Sequence, residues 1–172
     1  MARPLFMLGN RLQVCADYVR DGKIVADIGT DHAYLPVWLL KKEIITYAIA
    51  MDLREGPLKS AEMTADRYRV KDKLSLRLSD GLCKLEKDEA QDIVIAGMGA
   101  ELISEIIIKD IEIVRDNDIQ LILQPMRSPE ILRSEMLKQG FYIMRETALI
   151  ENSKVYTVMS MYYDHEASQK YI

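Results

Sequence analysis

Short apolar runs rich in β-branched residues alternate with helix-period segments through most of this chain, and that alternation decides which folds are open to it. The runs fall at Ile24–Ile28, Tyr47–Met51, Leu74–Leu78, Asp92–Ala96 and Ile119–Gln124. The helix-period segments are Ala33–Lys42, Pro57–Val70, Gly81–Lys87, Ala100–Val114 and Pro129–Gln139. A strand that is apolar along its whole length must be covered on both faces, and short strands joined through helices build βαβ units. The expected fold is therefore α/β, with a mostly parallel sheet and helices on both faces. Ahead of the first strand, "NRLQVCADYVRDG" carries Leu12, Cys15, Ala16 and Val19 at helical spacing, with Gly22 as its stop. After the fifth strand the pattern changes. Phe141–Ile150 and Lys154–Tyr163 read as two strands around a turn at Glu151-Asn152-Ser153. Such a hairpin completes a seven-stranded sheet with an antiparallel edge. Residues 1–163 read as one domain and 164–172 as a polar tail, either loose or the first turn of a further element.

Composition narrows the function classes. With 172 residues, 49% of them hydrophobic and 29% charged, the chain has room for one sizeable core and no disorder signature. No apolar run approaches a membrane span, and the start "MARPLFMLGNRL" lacks a small-residue cleavage site, so no membrane role or signal peptide is expected. Cys15 and Cys83 lie far apart without metal spacing. They read as reduced core thiols of a cytoplasmic protein that holds no metal. A formal charge of −4 does not mark a nucleic-acid binder. One stretch departs from that balance: "RYRVKDKLSLR" sets Arg67, Arg69, Lys71, Lys73 and Arg77 against the single acid Asp72. It is either a solvated face or a phosphate-contacting patch.

The chemistry concentrates where strands end. "VADIGTDHAYLP" closes the first strand with Asp27 and keeps only Gly29 of the glycine trio that a dinucleotide loop needs. Asp27 and Asp31 would repel a pyrophosphate. They suit a ligand that is cationic or that offers hydroxyl and amine donors, and S-adenosylmethionine offers all of these. Asp52 ends the second strand about 20 residues beyond Asp31, where a βαβ unit places the acid that takes ribose hydroxyls. Asp80 and Gly81, in "LSDGL", end the third strand, where an adenine amino group would lie. After the fourth comes "AGMGA", whose Gly97 and Gly99 let backbone approach a ligand closely. Each feature has a plainer role available: Asp52 as a helix cap, Asp80 and Gly81 as a turn, the glycines as packing. Asp31 can cap the following helix or meet an ammonium, and His32 can cap, pack or act in catalysis. Four such features at the ends of four successive strands occupy the place where open α/β sheets bind ligands.

In order along the chain, "ADIGTDHAYLP", "SDGL", "IAGMG" and "LILQP" closely resemble the TrmK family of class I, Rossmann-like methyltransferases, over roughly Asn10 to Tyr163. The resemblance implies S-adenosylmethionine as cofactor and methylation of N1 of adenine 22 in bacterial tRNA. It also implies cofactor contacts at Asp27, Gly29, Asp31, Asp52, Asp80, Gly81, Gly97 and Gly99, with Asp31, His32 and Met98 as candidates for a catalytic role. If the basic stretch is a phosphate patch and not a solvated face, Arg67, Arg69, Lys71 and Lys73 are its candidates for meeting tRNA. Ala100 stands where the family usually has a further glycine. The family's C-terminal helical domain is expected to be absent here, with a monomer favoured. The loop that accepts amine hydrogen bonds in amino-group methyltransferases, D/N-P-P-Y/F, is replaced by "AGMGA". Two other readings stay open: a small-molecule methyltransferase, and a nonenzymatic module of the same fold that binds the cofactor or RNA.

Overall fold

The computed structural model describes residues 4–171. Seven strands form one sheet: β1 (Ile24–Ile28), β2 (Tyr47–Asp52), β3 (Leu74–Leu78), β4 (Asp92–Met98), β5 (Gln120–Pro125), β6 (Phe141–Glu151) and β7 (Lys154–Tyr163). They lie in the order β3-β2-β1-β4-β5-β7-β6. The first five are mutually parallel, and the order reverses between β1 and β4, which opens a crevice at their C-terminal ends. The antiparallel strand is β7, which pairs with both β5 and β6, so it lies one position inside the edge. Its hairpin closes at Asn152 and Ser153, both with positive φ (51° and 61°). That is the turn whose twist matches the flanking strands.

Helices cover both faces: α1 (Asn10–Tyr18), α2 (Tyr34–Lys41), α3 (Glu55–Tyr68), α4 (Ala100–Lys109), α5 (Ile111–Val114), α6 (Pro129–Lys138) and a short α7 (His165–Ser168). Alternate residues of the central strands feed two cores. Ile93, Ile95 and Leu121 pack with Ile103, Ile107 and Leu132 on one face. Val25, Ala48, Val94 and Ile122 pack with Cys15, Val37 and Leu39 on the other. Burying each Leu or Ile side chain in these layers contributes roughly 1.5–3 kcal/mol.

Several expectations are corrected. Gly81–Lys87 is not a helix: the Ser79 hydroxyl donates to the Gly81 carbonyl (2.9 Å) and accepts from the Lys84 amide (3.3 Å), while Gly81 sits at φ +60°. Leu82 and Leu85 are buried as helical spacing suggests, but they hang from a turn. The segment read as one helix over Ala100–Val114 breaks at Asp110 (φ −119°, ψ 36°) into α4 and α5. The first helix ends at Tyr18 instead of running to Gly22. Buried Asp92 takes both the Arg20 amide (2.7 Å) and its guanidinium (2.7 Å), which draws the chain out of helical register. Of the two readings of the tail, residues 164–171 take the turn and not the loose one: Asp164 caps α7 through the Ala167 amide, and Ser168 is buried. Cys15 is a core thiol as expected, its pKa pushed up by burial, whereas Cys83 is exposed. No helix among the described residues is long and apolar enough to cross a membrane.

Candidate functional site

Each strand end delivers one polar side chain or one close-approach backbone segment to the crevice. At the end of β1, Asp27 is almost fully buried and accepts the Thr30 hydroxyl at 2.7 Å. Burial, offset partly by Thr30 and reinforced by the charge of Asp52, pushes its pKa up to about 6. The chain then turns sharply. Gly29 (φ +73°) and Thr30 both donate their amides to the Met51 carbonyl, at 2.8 and 2.9 Å, which pins the loop to β2. Asp31 (φ 53°) and Ala33 (φ 55°) also take the left-handed conformation, which non-glycine residues rarely adopt and which costs about 1–3 kcal/mol each. The loop is therefore strained, and it does not present Asp31 as a cap: Ala33 occupies the N-cap of α2 with no side-chain hydrogen bond.

Asp52 ends β2 with 8% of its surface exposed. Its carboxylate accepts the Arg54 amide (3.0 Å) and the Asp31 amide (3.3 Å), so it ties the first and second strand-end loops together. Asp80 follows β3 and is exposed, with Lys109 Nζ 2.6 Å from Oδ2. A register shift between Ala96 and Met98 marks the end of β4, where Gly97 takes φ +81°. A Cβ built on Gly29 would run into the Met98 methyl, so Met98 lies directly over the loop.

Two cavities share this crevice. One, about 360 Å³, is lined by Gly29, Asp31, Asp52, Asp80, Gly81 and Met98 among others, with Leu53, Leu102 and Ile106 as apolar walls. Its neighbour, about 230 Å³, is lined by Arg11, Asp27, Gly29, Asp31, His32 and Tyr34 among others. Gly29, Asp31, Ala96 and Gly97 line both, so the cavities adjoin across the β1 loop. Of the residues singled out for the cofactor or for catalysis, only Gly99 lines neither. It serves as the N-cap of α4. His32 stacks on Tyr34 (centroids 5.2 Å apart, planes 16° apart) and lies 3.7 Å from Asp31 Oδ2.

Sequence reasoning missed the frame behind the β4 loop. Gln124, completely buried at the end of β5, accepts both the Gly97 amide (3.1 Å) and Arg11 Nη1 (3.1 Å) on one oxygen. Its amide nitrogen donates to the Pro125 carbonyl (2.8 Å). Arg11 in turn meets Glu151 at the hairpin end (2.5 Å). The signal was there in "LILQP", where a polar side chain ends an otherwise apolar strand. The basic stretch is less available than its composition suggests. Lys71 is held by Glu62 (2.6 Å) and Asp66 (3.6 Å), and Arg77 by Glu89 (2.5 Å). Among the described residues, Arg67, Arg69 and Lys73 have no ion pair. No group of three or more His, Cys, Asp or Glu residues there is placed to hold a metal ion.

A methyltransferase-domain family model matches residues 8–159. A Bacillus subtilis (strain 168) protein named tRNA (adenine(22)-N(1))-methyltransferase is 36% identical over 152 residues, covering 88% of this chain; the chain spans 63% of that relative's length. The crystal structure of the B. subtilis M1A22 tRNA methyltransferase TrmK superposes with a TM-score of 0.89 at 34% identity, over 95% of this chain and 70% of that one. A Streptococcus pneumoniae protein, Sp1610, solved in complex with S-adenosyl-L-methionine, gives 0.86 at 36% identity, over 92% and 74%. The chain belongs to the TrmK family of methyltransferase-domain proteins.

Proposed function

We propose that this chain binds S-adenosylmethionine in the crevice and transfers its methyl group to N1 of an adenine in tRNA, position 22 as named for the relatives. The carrying observation is that buried carboxylates end β1 and β2 and an exposed one follows β3, around adjoining cavities whose loops hold no glycine-rich phosphate cradle. The donor set fits the cofactor. Asp52 accepts ribose hydroxyls, Asp80 and the Leu53, Leu102 and Ile106 walls take the adenine, and Asp27 and Asp31 face the cationic methionine end. One oxygen of Asp27 is already taken by Thr30, which fixes the carboxylate's direction. When bound, the cofactor supplies an electrophilic methyl on a sulfonium.

N1 of neutral adenine carries an in-plane lone pair, so no side chain has to remove a proton first. The chain's task is alignment: the Gly97 backbone and Met98 limit where a base can stand, while His32 and Tyr34 offer ring faces for it. The base reaches the cavity only after leaving its stack. Asp31, exposed at the rim, would favour the positive charge that develops on the methylated ring. Incubation with labelled methyl donor and bulk unmodified tRNA, followed by digestion to nucleosides, tests the reading. Label in 1-methyladenosine is expected. Bound cofactor with no label transferred to tRNA would overturn it.

A further inference from the structure

A third cavity, about 250 Å³, lies between the N-terminal segment and α3 and adjoins the one around Asp27, sharing Leu12 and Tyr34 with it. Its walls include Phe6, Tyr34 and Tyr68, and Arg67 stands at its edge. Phe6 meets both tyrosines edge-on, at 5.1 and 5.2 Å between centroids, which holds the three rings as one rigid unit. Neither tyrosine hydroxyl has a hydrogen-bond partner among the described residues. Arg67 has no carboxylate within ion-pairing distance there, although its neighbour Lys71 has two. Aromatic faces, free phenol hydroxyls and one unneutralised guanidinium suit a base attached to a phosphate. The volume is below the roughly 300–1,000 Å³ of sites for drug-sized ligands, and so favours a single base over a whole cofactor.

We infer that this cavity holds a nucleotide of the RNA next to the methylated adenosine, its base against Phe6 and Tyr68 and its phosphate on Arg67. The inference rests on the tRNA reading above. It makes Arg67 and Tyr68 binding residues outside the cofactor crevice. It also gives the extruded adenosine a neighbouring anchor, so that sequence around the target is read by stacking and not by groove contacts.

Steady-state methylation of an unmodified tRNA transcript at saturating cofactor decides it, using Arg67→Ala, Tyr68→Leu and, as a control, Lys138→Ala on α6. Tyr68 is half-buried against the core, where leucine keeps an apolar body and removes only the ring and hydroxyl, and Arg67 is exposed; an unfolding midpoint near that of the wild type checks that both variants keep the fold. Arg67→Ala and Tyr68→Leu are expected to raise KM for tRNA about tenfold each, with kcat within about twofold and cofactor affinity by calorimetry unchanged. Lys138→Ala should leave KM near the wild-type value, because that lysine lines none of the three cavities and Glu135 already pairs with its ammonium. Wild-type KM in both site variants, with the wild type active, would overturn the inference and leave the tRNA reading standing. A fall in kcat without a rise in KM would also overturn it. A wild type that binds cofactor and methylates no tRNA would overturn the reading underneath, and this inference with it.

Discussion

Asp52 carries two loads at once: it organises two loops through the Asp31 and Arg54 amides, and it faces the cavity as an acceptor. Replacing it with alanine should weaken cofactor binding by about 2–3 kcal/mol, a charged hydrogen bond lost, on top of about 1 kcal/mol of stability from the orphaned amides. Calorimetry and thermal unfolding together check both parts. Asp27 brings pH into the site. The folded protein holds its proton more tightly than the unfolded chain does, so the neutral form stabilises the unliganded fold in acid. That contribution is intact below the ordinary value near 3.8, is lost as pH rises to about 6, and is absent above it. A cationic ligand wants the carboxylate, so its affinity should run the other way, rising about tenfold from pH 5 to pH 7 and then levelling. Asp27→Asn should flatten that profile; a wild-type profile that is already flat would remove Asp27 from contact with the ligand.

The β4–β5 pair shows how elements hold the loops that do the chemistry. The sheet places Ala96 beside Gln124 in register, and the shift beyond Ala96 turns the Gly97 amide onto the Gln124 side chain. Gln124→Leu keeps the volume and strands the Gly97 amide and the Arg11 guanidinium. It should cost about 2–3 kcal/mol, or roughly 4–12 °C in unfolding midpoint for a domain of this size, and should weaken cofactor binding through a loosened β4 loop. A midpoint within a degree of wild type would show that water or a rotamer change replaces the lost acceptor. This network also marks where reading from sequence stopped. Asp27, Asp52 and Asp80 were legible because each stands at or just beyond the end of a strand, and strand ends converge in a parallel sheet. Arg11, Gln124 and Glu151 come from α1, β5 and the hairpin, and only the three-dimensional register brings them together. The same limit explains the turn at Gly81. Leu82 and Leu85 have helical spacing, but the Ser79 hydroxyl and a positive φ at Gly81 override it.

Across the whole molecule, the topology reverses between β1 and β4, and the strand-end carboxylates line cavities that open at that point. The sheet, its parallel core and its hairpin edge followed from periodicity alone, because burial on both faces leaves few other arrangements. The position of the antiparallel strand inside that edge did not follow, since a hairpin can dock by either strand. With a formal charge of −4 and with Lys71 and Arg77 paired, the proposed tRNA recognition would rest on seating one adenosine correctly more than on long-range attraction. The most direct test uses two tRNA transcripts, one natural and one with adenine 22 replaced by guanine, incubated with the protein and S-adenosylmethionine and read by reverse transcription, which halts at N1-methylated adenine. A halt at position 22 is expected in the natural transcript and none in the substituted one. Equal methylation of both, or none in either despite bound cofactor, would contradict it.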